Sequence, residues 1–105
     1  MSEETLKALS EKMDTIMGLS KAPSQYQVFL HLLGTGRSMA VKELSGELGL
    51  SSKATERAVA KLVEKDLVQR ASFRQRSYSC DSREILLAML LRFSELEDRL
   101  SRRGL

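Results

Sequence analysis

The stretch Lys42 to Val68, KELSGELGLSSKATERAVAKLVEKDLV, reads as two short helices joined by a tight turn and running into a strand. Leu44 and Leu48 lie four apart on one face of the first helix. Gly49 then supplies a residue that tolerates positive φ, the usual way to end a helix. Ser51 follows at the N-cap position, where its hydroxyl can accept from the free amides of the next turn. The second helix carries Thr55, Ala58, Val59 and Leu62 at helical spacing, which makes one face apolar. Its other face presents Lys53, Glu56, Arg57, Ala60 and Lys61. The pattern predicts a helix-turn-helix whose second helix turns a basic face to solvent.

Working outward, Glu3 to Leu19 places Leu6, Leu9, Met13 and Ile16 at steps of three, four and three, a heptad seam with charges on its other faces. Ser24 can cap a second helix, in which Tyr26, Val28, Phe29, Leu30, Leu32 and Leu33 make a core segment ending at Gly34-Thr35-Gly36. Ser38-Met39-Ala40 is expected to pair as a small edge strand before a helix beginning near Val41. A strand is expected to start at Leu67-Val68, and Val68 to Cys80 alternates in character and reads as a hairpin with its tip at Phe73 to Arg76. Asp81 with Glu84 three residues on is a capping box that opens the last helix. There Leu86, Met89, Phe93, Leu96 and Leu100 fall at steps of three and four. Ile85, Leu87, Leu90 and Leu91 widen the apolar surface of its first half, which is expected to pack on the body of the domain.

The 105 residues make one domain's worth of chain, with 42% hydrophobic and 30% charged residues. The longest uncharged run, Ala22 to Gly36, is too short and polar to cross a bilayer, and the acidic N-terminus does not read as a secretory signal. The single Cys80 excludes an internal disulfide framework and suits a reducing cytosol. Net charge is +3, but it is unevenly spread: residues 37 to 83 hold ten Lys/Arg against six Asp/Glu, a net of +4. Positive charge therefore concentrates on the helix-turn-helix and the hairpin, where a footprint for phosphates is needed.

The element order is that of a mainly α, α+β winged helix-turn-helix with an added helix at each end. Residues 1–20 and 82–103 are expected to serve as dimerisation helices and 24–80 as the core. The middle of the chain resembles the winged-helix domains of archaeal and bacterial transcriptional regulators, nearest to the TrmB-like and MarR-like groups and to small archaeal Lrs-type regulators. The residues that carry this are Lys42 to Val68, the basic hairpin ending in Ser77-Tyr78-Ser79, the capped Asp81-Ser82-Arg83-Glu84-Ile85, and Gln27-Val28-Phe29-Leu30 upstream. Three departures from the pattern stand out. Ala40 replaces a capping Ser or Thr, Asp66 replaces the usual Gly after Glu64-Lys65, and the hairpin has no Gly-rich tip. The resemblance implies double-stranded DNA binding, with helix 52–65 in the major groove and wing 69–77 on flanking DNA.

Within that frame, Ser51, Ser52 and Lys53 supply the leading end of the reading helix, where amides and hydroxyls can take a phosphate. Arg57, one turn on, is the candidate for a guanine contact, and Glu56 for accepting from cytosine or orienting Arg57. Lys61 suits a phosphate. Arg70, Arg74 and Arg76 place three guanidinium groups within seven residues, with Gln75 at the tip. Arg37 and Lys42 are weaker phosphate candidates. The bland alternatives are ordinary solvated helix charges and a charged edge strand that resists aggregation. The end seams, Leu6, Leu9, Met13 and Ile16 with Leu86, Met89, Phe93, Leu96 and Leu100, are expected to bury themselves by pairing with each other and with a second copy in a homodimer, setting two reading helices roughly 34 Å apart; the alternative is that both fold back on their own domain. His31 has no Cys or His at ligand spacing, and no nucleophile–base pair or phosphate loop is present. Neither a metal, a cofactor nor an enzymatic activity is therefore expected. The rival readings are an architectural DNA binder with little sequence preference and a winged helix used for protein–protein assembly, the latter motivated by Glu56 and the modest net charge.

Overall fold

A computed structural model describes residues 2–72 and 76–104. The chain runs α1 (Glu3–Gly18), a 3-10 turn (Leu19–Lys21), α2 (Pro23–Thr35), β1 (Met39–Ala40), α3 (Val41–Leu48), α4 (Ser52–Glu64), β2 (Gln69–Ser72), β3 (Ser77–Ser79) and α5 (Ser82–Arg102). It is mainly helical, with a small antiparallel sheet of order β1-β3-β2.

The α3–α4 unit follows the local rules closely. Gly49 ends α3 at φ 69°, and Leu50 N–H returns to the Ser45 carbonyl at 3.1 Å. Ser51 Oγ then accepts from Ala54 N–H at 3.0 Å. Thr55, Ala58, Val59 and Leu62 are all buried, and Thr55 satisfies its hydroxyl by donating to the Ser51 carbonyl at 2.9 Å. Ala40 has no oxygen with which to cap α3, so only one half of a capping box forms: Ala40 N–H donates to Glu43 Oε1 at 3.2 Å.

Asp66 is the second departure, and it has a structural counterpart. It sits at φ 61° just past α4, the left-handed position that glycine normally fills, while Leu67 N–H closes onto the Leu62 carbonyl at 3.0 Å. Because the Leu67 amide is spent there, the strand begins at Gln69 rather than at Leu67-Val68 as expected. Leu67 and Val68 instead send buried side chains into the core. β2 and β3 pair as a hairpin with an irregularity between Arg70 and Ser72, and Met39 and Ala40 pair with β3 as the short edge strand. The expected hairpin tip falls largely outside the described residues, at Phe73, Arg74 and Gln75.

Helix α2 begins two residues earlier than a Ser24 cap requires. Pro23 takes the first helical position, where its missing N–H costs nothing and its fixed φ fits. Val28, Phe29 and Leu32 are buried, but Tyr26 and Leu30, four apart on the opposite face, are exposed, so α2 is amphipathic rather than wholly internal.

The core joins Phe29, Leu32, Met39, Leu44, Val59, Leu62 and Val68 to Ile16 and Leu19 at the end of α1 and Ile85 at the start of α5. Both terminal helices therefore root in the same core and leave it side by side, antiparallel. Leu9 and Ala88, buried outside that cluster, are covered by this pairing. The radius of gyration, 15.5 Å, exceeds the about 13 Å of a compact chain of this length, because the α1–α5 pair projects as an arm. Two cations lock the arm. Arg92 of α5 donates to Asp14 Oδ1 at 2.7 Å and to the Ser10 carbonyl at 3.2 Å on α1. Lys12 of α1 pairs with Glu84 at 3.1 Å and donates to the Asp66 carbonyl at 3.1 Å, tying the arm to the turn behind α4.

Of the two end seams expected to pair with each other and with a second copy, the pairing with each other is present within the chain. Leu9 and Ile16 are buried within the chain, at 4% and 8% exposure, and Met13 and Met89 are partly buried against the core. A heptad seam cannot distinguish a helix of its own chain from one of a second copy, and here α1 finds α5. Left exposed are Leu6, Leu86, Phe93, Leu96 and Leu100, joined by Leu90 and Met17. Leu86 and Leu90 stand out from the half of α5 that was expected to pack on the body. No helix among the described residues is long and apolar enough to cross a membrane.

Candidate nucleic-acid interface

Helix α4 is positioned by what it buries. Its inner residues meet α2 and α3, which leaves Ser52, Lys53, Glu56, Arg57, Ala60, Lys61 and Glu64 exposed on one continuous outer surface. A rotation of 100° per residue sorts this surface into three strips. Lys53, Ala60 and Glu64 lie along the middle, Arg57 and Lys61 lean to one side, and Glu56 and Val63 to the other.

Each flank opens on a different cleft. On one side Arg57 and Lys61 face Pro23, Ser24 and Gln25, the first turn of α2. That turn has no side-chain cap and no acidic residue, so its amides and the positive end of the helix dipole are free to meet an anion. On the other side Glu56, Ala60 and Val63 face Val41, Arg70 and Tyr78. This second cleft continues past Val41 and Tyr78 to Lys42 and Arg76. Arg57 and Glu56, adjacent in sequence, therefore work in separate clefts, and the expectation that Glu56 orients Arg57 finds no contact in support.

The hairpin side chains are also ordered by their neighbours. Arg70 opposes Tyr78 in the β2–β3 register, its guanidinium sits 5.9 Å from the ring centroid, and its Nη2 reaches the phenol oxygen at 3.5 Å. Tyr78 thus packs its body on the core and gives its outer face to Arg70. Arg76 is exposed at φ 45° where β3 begins. Arg74 and Gln75 lie outside the described residues.

Ion pairing separates available cations from occupied ones. Lys61 pairs with Glu64 at 3.3 Å, and Arg37 is held by Glu43 and Glu47 at 3.6 and 3.4 Å. Lys42, Lys53, Arg57, Arg70 and Arg76 form no ion pair among the described residues. Of the two cations weighed as weaker phosphate candidates, Lys42 is thus unpaired among the described residues and Arg37 is occupied. The pairing of Arg37 was legible in retrospect, since Glu43 and Glu47 are four apart and share one face of α3.

The remaining polar residues settle into the scaffold. His31 approaches Glu47 at 3.2 Å, and no cluster of metal-ligating side chains exists among the described residues. Burial pushes the Cys80 thiol from 9.0 up to about 11, partly opposed by the positive charge of Lys12. The thiol therefore stays protonated at neutral pH, the state least reactive toward oxidants.

On the arm, helical spacing sets Leu86, Leu90, Phe93 and Leu100 along the side of α5 away from α1. Leu96 and Met89 lie on its Arg92 edge, next to the side of α1 that carries Met17 and Leu6. The result is one apolar face shared by two helices, with Phe93 68% exposed near its centre. Compared with known proteins, the chain matches no family model, no curated protein and no solved structure.

Proposed function

We propose that the chain is a winged helix-turn-helix DNA-binding protein that acts as a dimeric transcriptional regulator. In this reading α4 enters the major groove, the β2–β3 hairpin is the wing, and the apolar face of the arm joins two copies. The observation that carries it is the division of labour on α4. Its inner face is fully used by the core, while its outer face and both flanking clefts gather five cations that no carboxylate among the described residues neutralises. Lys42, Lys53, Arg57, Arg70 and Arg76, unpaired among the described residues and gathered on one side, give a surface suited to a polyanion. Arg57 and Lys53 are the base-reading candidates, being long donors on or just beside the middle strip of a slim helix, with Ala60 next to them. Arg70, Arg76, Lys42 and the first turn of α2 are suited to phosphates on either side.

The dimer follows from the arm. Soluble monomers rarely expose an apolar stripe as continuous as Leu86-Leu90-Phe93-Leu96-Leu100, and a second copy offers the same stripe in return. A winged helix used for protein assembly is the second reading, favoured by Glu56 and Glu64 on the outer face of α4.

Selection of bound duplexes from a random pool tests the proposal. A recovered motif with two related half-sites is expected; recovery of no enriched sequence and no retained DNA refutes it. Phe93→Asp is expected to convert the dimer to monomer in sedimentation, and an unchanged dimer moves the interface elsewhere.

A further inference from the structure

Glu56 is out of keeping with its surroundings. The other carboxylates near this surface have partners: Glu43 and Glu47 hold Arg37, and Glu64 holds Lys61. Glu56 forms neither an ion pair nor a side-chain hydrogen bond among the described residues. Yet it lines both parts of the cleft that contains Arg70, Lys42 and Arg76. Arg70, which lines the same cleft, is engaged by Tyr78 instead, over the ring and toward the phenol oxygen. Among the described residues, a carboxylate without an ion-pair or hydrogen-bond partner thus lines a cleft that also holds three cations.

From this, and resting on the DNA-binding reading above, we infer that Glu56 is a specificity-determining residue that works chiefly by exclusion. A phosphate or a base-edge acceptor brought into the cleft meets a negative charge there, so binding to DNA in general is weakened. A cytosine amino group is the one major-groove feature at this depth that donates to a carboxylate without bringing a competing acceptor of its own. The neighbouring wall of Val41, Ala60 and Val63 is apolar and small, offers the carboxylate no hydrogen-bond donor of its own, and gives a flat base edge room to approach. The modest positive charge of the surface then reflects discrimination, because each uncompensated carboxylate sheds sequence-independent affinity.

The test compares wild type with Glu56→Gln, and with Glu64→Gln as a control for simple charge counting, since Glu64 is exposed but already paired. Each is titrated against a random-sequence duplex and against the duplex that wild type selects from a random pool, with circular dichroism to verify helix content. Glu56→Gln is expected to bind the random duplex about tenfold more tightly and the selected duplex no more tightly, so the selected-to-random ratio falls about tenfold. Repeated selection with this variant is expected to lose a G·C preference at one position in each half-site. Glu64→Gln is expected to shift both duplexes alike. An unchanged ratio in Glu56→Gln, with wild type still binding DNA, overturns this inference and leaves the DNA-binding reading intact. Absence of DNA binding by wild type overturns both.

Discussion

Replacing Lys12 by Met probes the joint between the arm and the helix-turn-helix. The Lys12 side chain is only 11% exposed, and its ammonium serves Glu84 and the Asp66 carbonyl, both at 3.1 Å. It therefore ties α1 to the start of α5 and to the left-handed turn that closes α4. Met keeps most of the volume and removes only the charged head. A hydrogen bond to a charged group is worth about 1.5–3 kcal/mol net. Glu84 is 43% exposed and can recover water, which discounts its share of the loss. The Asp66 carbonyl gives up its ammonium donor, and the expected cost is about 1–2 kcal/mol by the same reasoning. With a urea dependence of about 1–3 kcal/mol/M, the unfolding midpoint falls by roughly 0.5–1.5 M. Protein concentration must be held constant, since association stabilises the folded chain. A double-mutant cycle with Glu84→Gln should return a coupling of about 0.5–1 kcal/mol. An unchanged midpoint together with strict additivity in the cycle refutes the role assigned to Lys12.

Leu62→Ala, at a fully buried position on the inner face of α4, should cost about 2–5 kcal/mol in chemical denaturation; a loss below about 1 kcal/mol means the site is not packed as described. Asp66→Gly should raise the unfolding midpoint by the equivalent of about 0.5 kcal/mol, and Asp66→Ala should lower it, because φ is 61° there; the opposite order contradicts the left-handed turn. Cys80 binds its proton more tightly when folded, so its contribution is complete below pH 9.0 and is lost as pH rises toward about 11. Wild type should therefore lose more stability than Cys80→Ala across that alkaline window, and parallel pH profiles contradict the burial of the thiol.

Much of the fold could be read from residues close together in sequence. Gly49, Ser51 and the Thr55-Ala58-Val59-Leu62 face determine the α3–α4 unit through helix stops, caps and period, all of them local effects. Asp66 was readable as an irregular turn because a position that wants glycine carries another residue. What escaped is non-local. Arg92 meets Asp14 across 78 positions and Lys12 meets the Asp66 carbonyl across 54, and no spacing rule announces either contact. The spacing of Leu9 and Ile16 likewise states that the seam will be buried, but not how its burial divides between α5 and a second copy. The separation of Glu56 from Arg57 lay between these cases. Neighbours on a helix diverge by 100°, but only the positions of α2 and the hairpin reveal that each turns into its own cleft.

The central claim, that the outer face of α4 and its two clefts engage DNA, is tested most directly by a salt titration of affinity. Wild type and Arg57→Ala would be measured against the selected and a random duplex between low and physiological salt. With Lys42, Arg70 and Arg76 of each copy on phosphates, log affinity of the wild-type dimer should fall with log salt at a slope of about −5, at about 0.9 per phosphate met. Arg57→Ala should lose about tenfold or more on the selected duplex and far less on the random one. A flat salt response, or affinities that Arg57→Ala leaves untouched on both duplexes, contradicts the account.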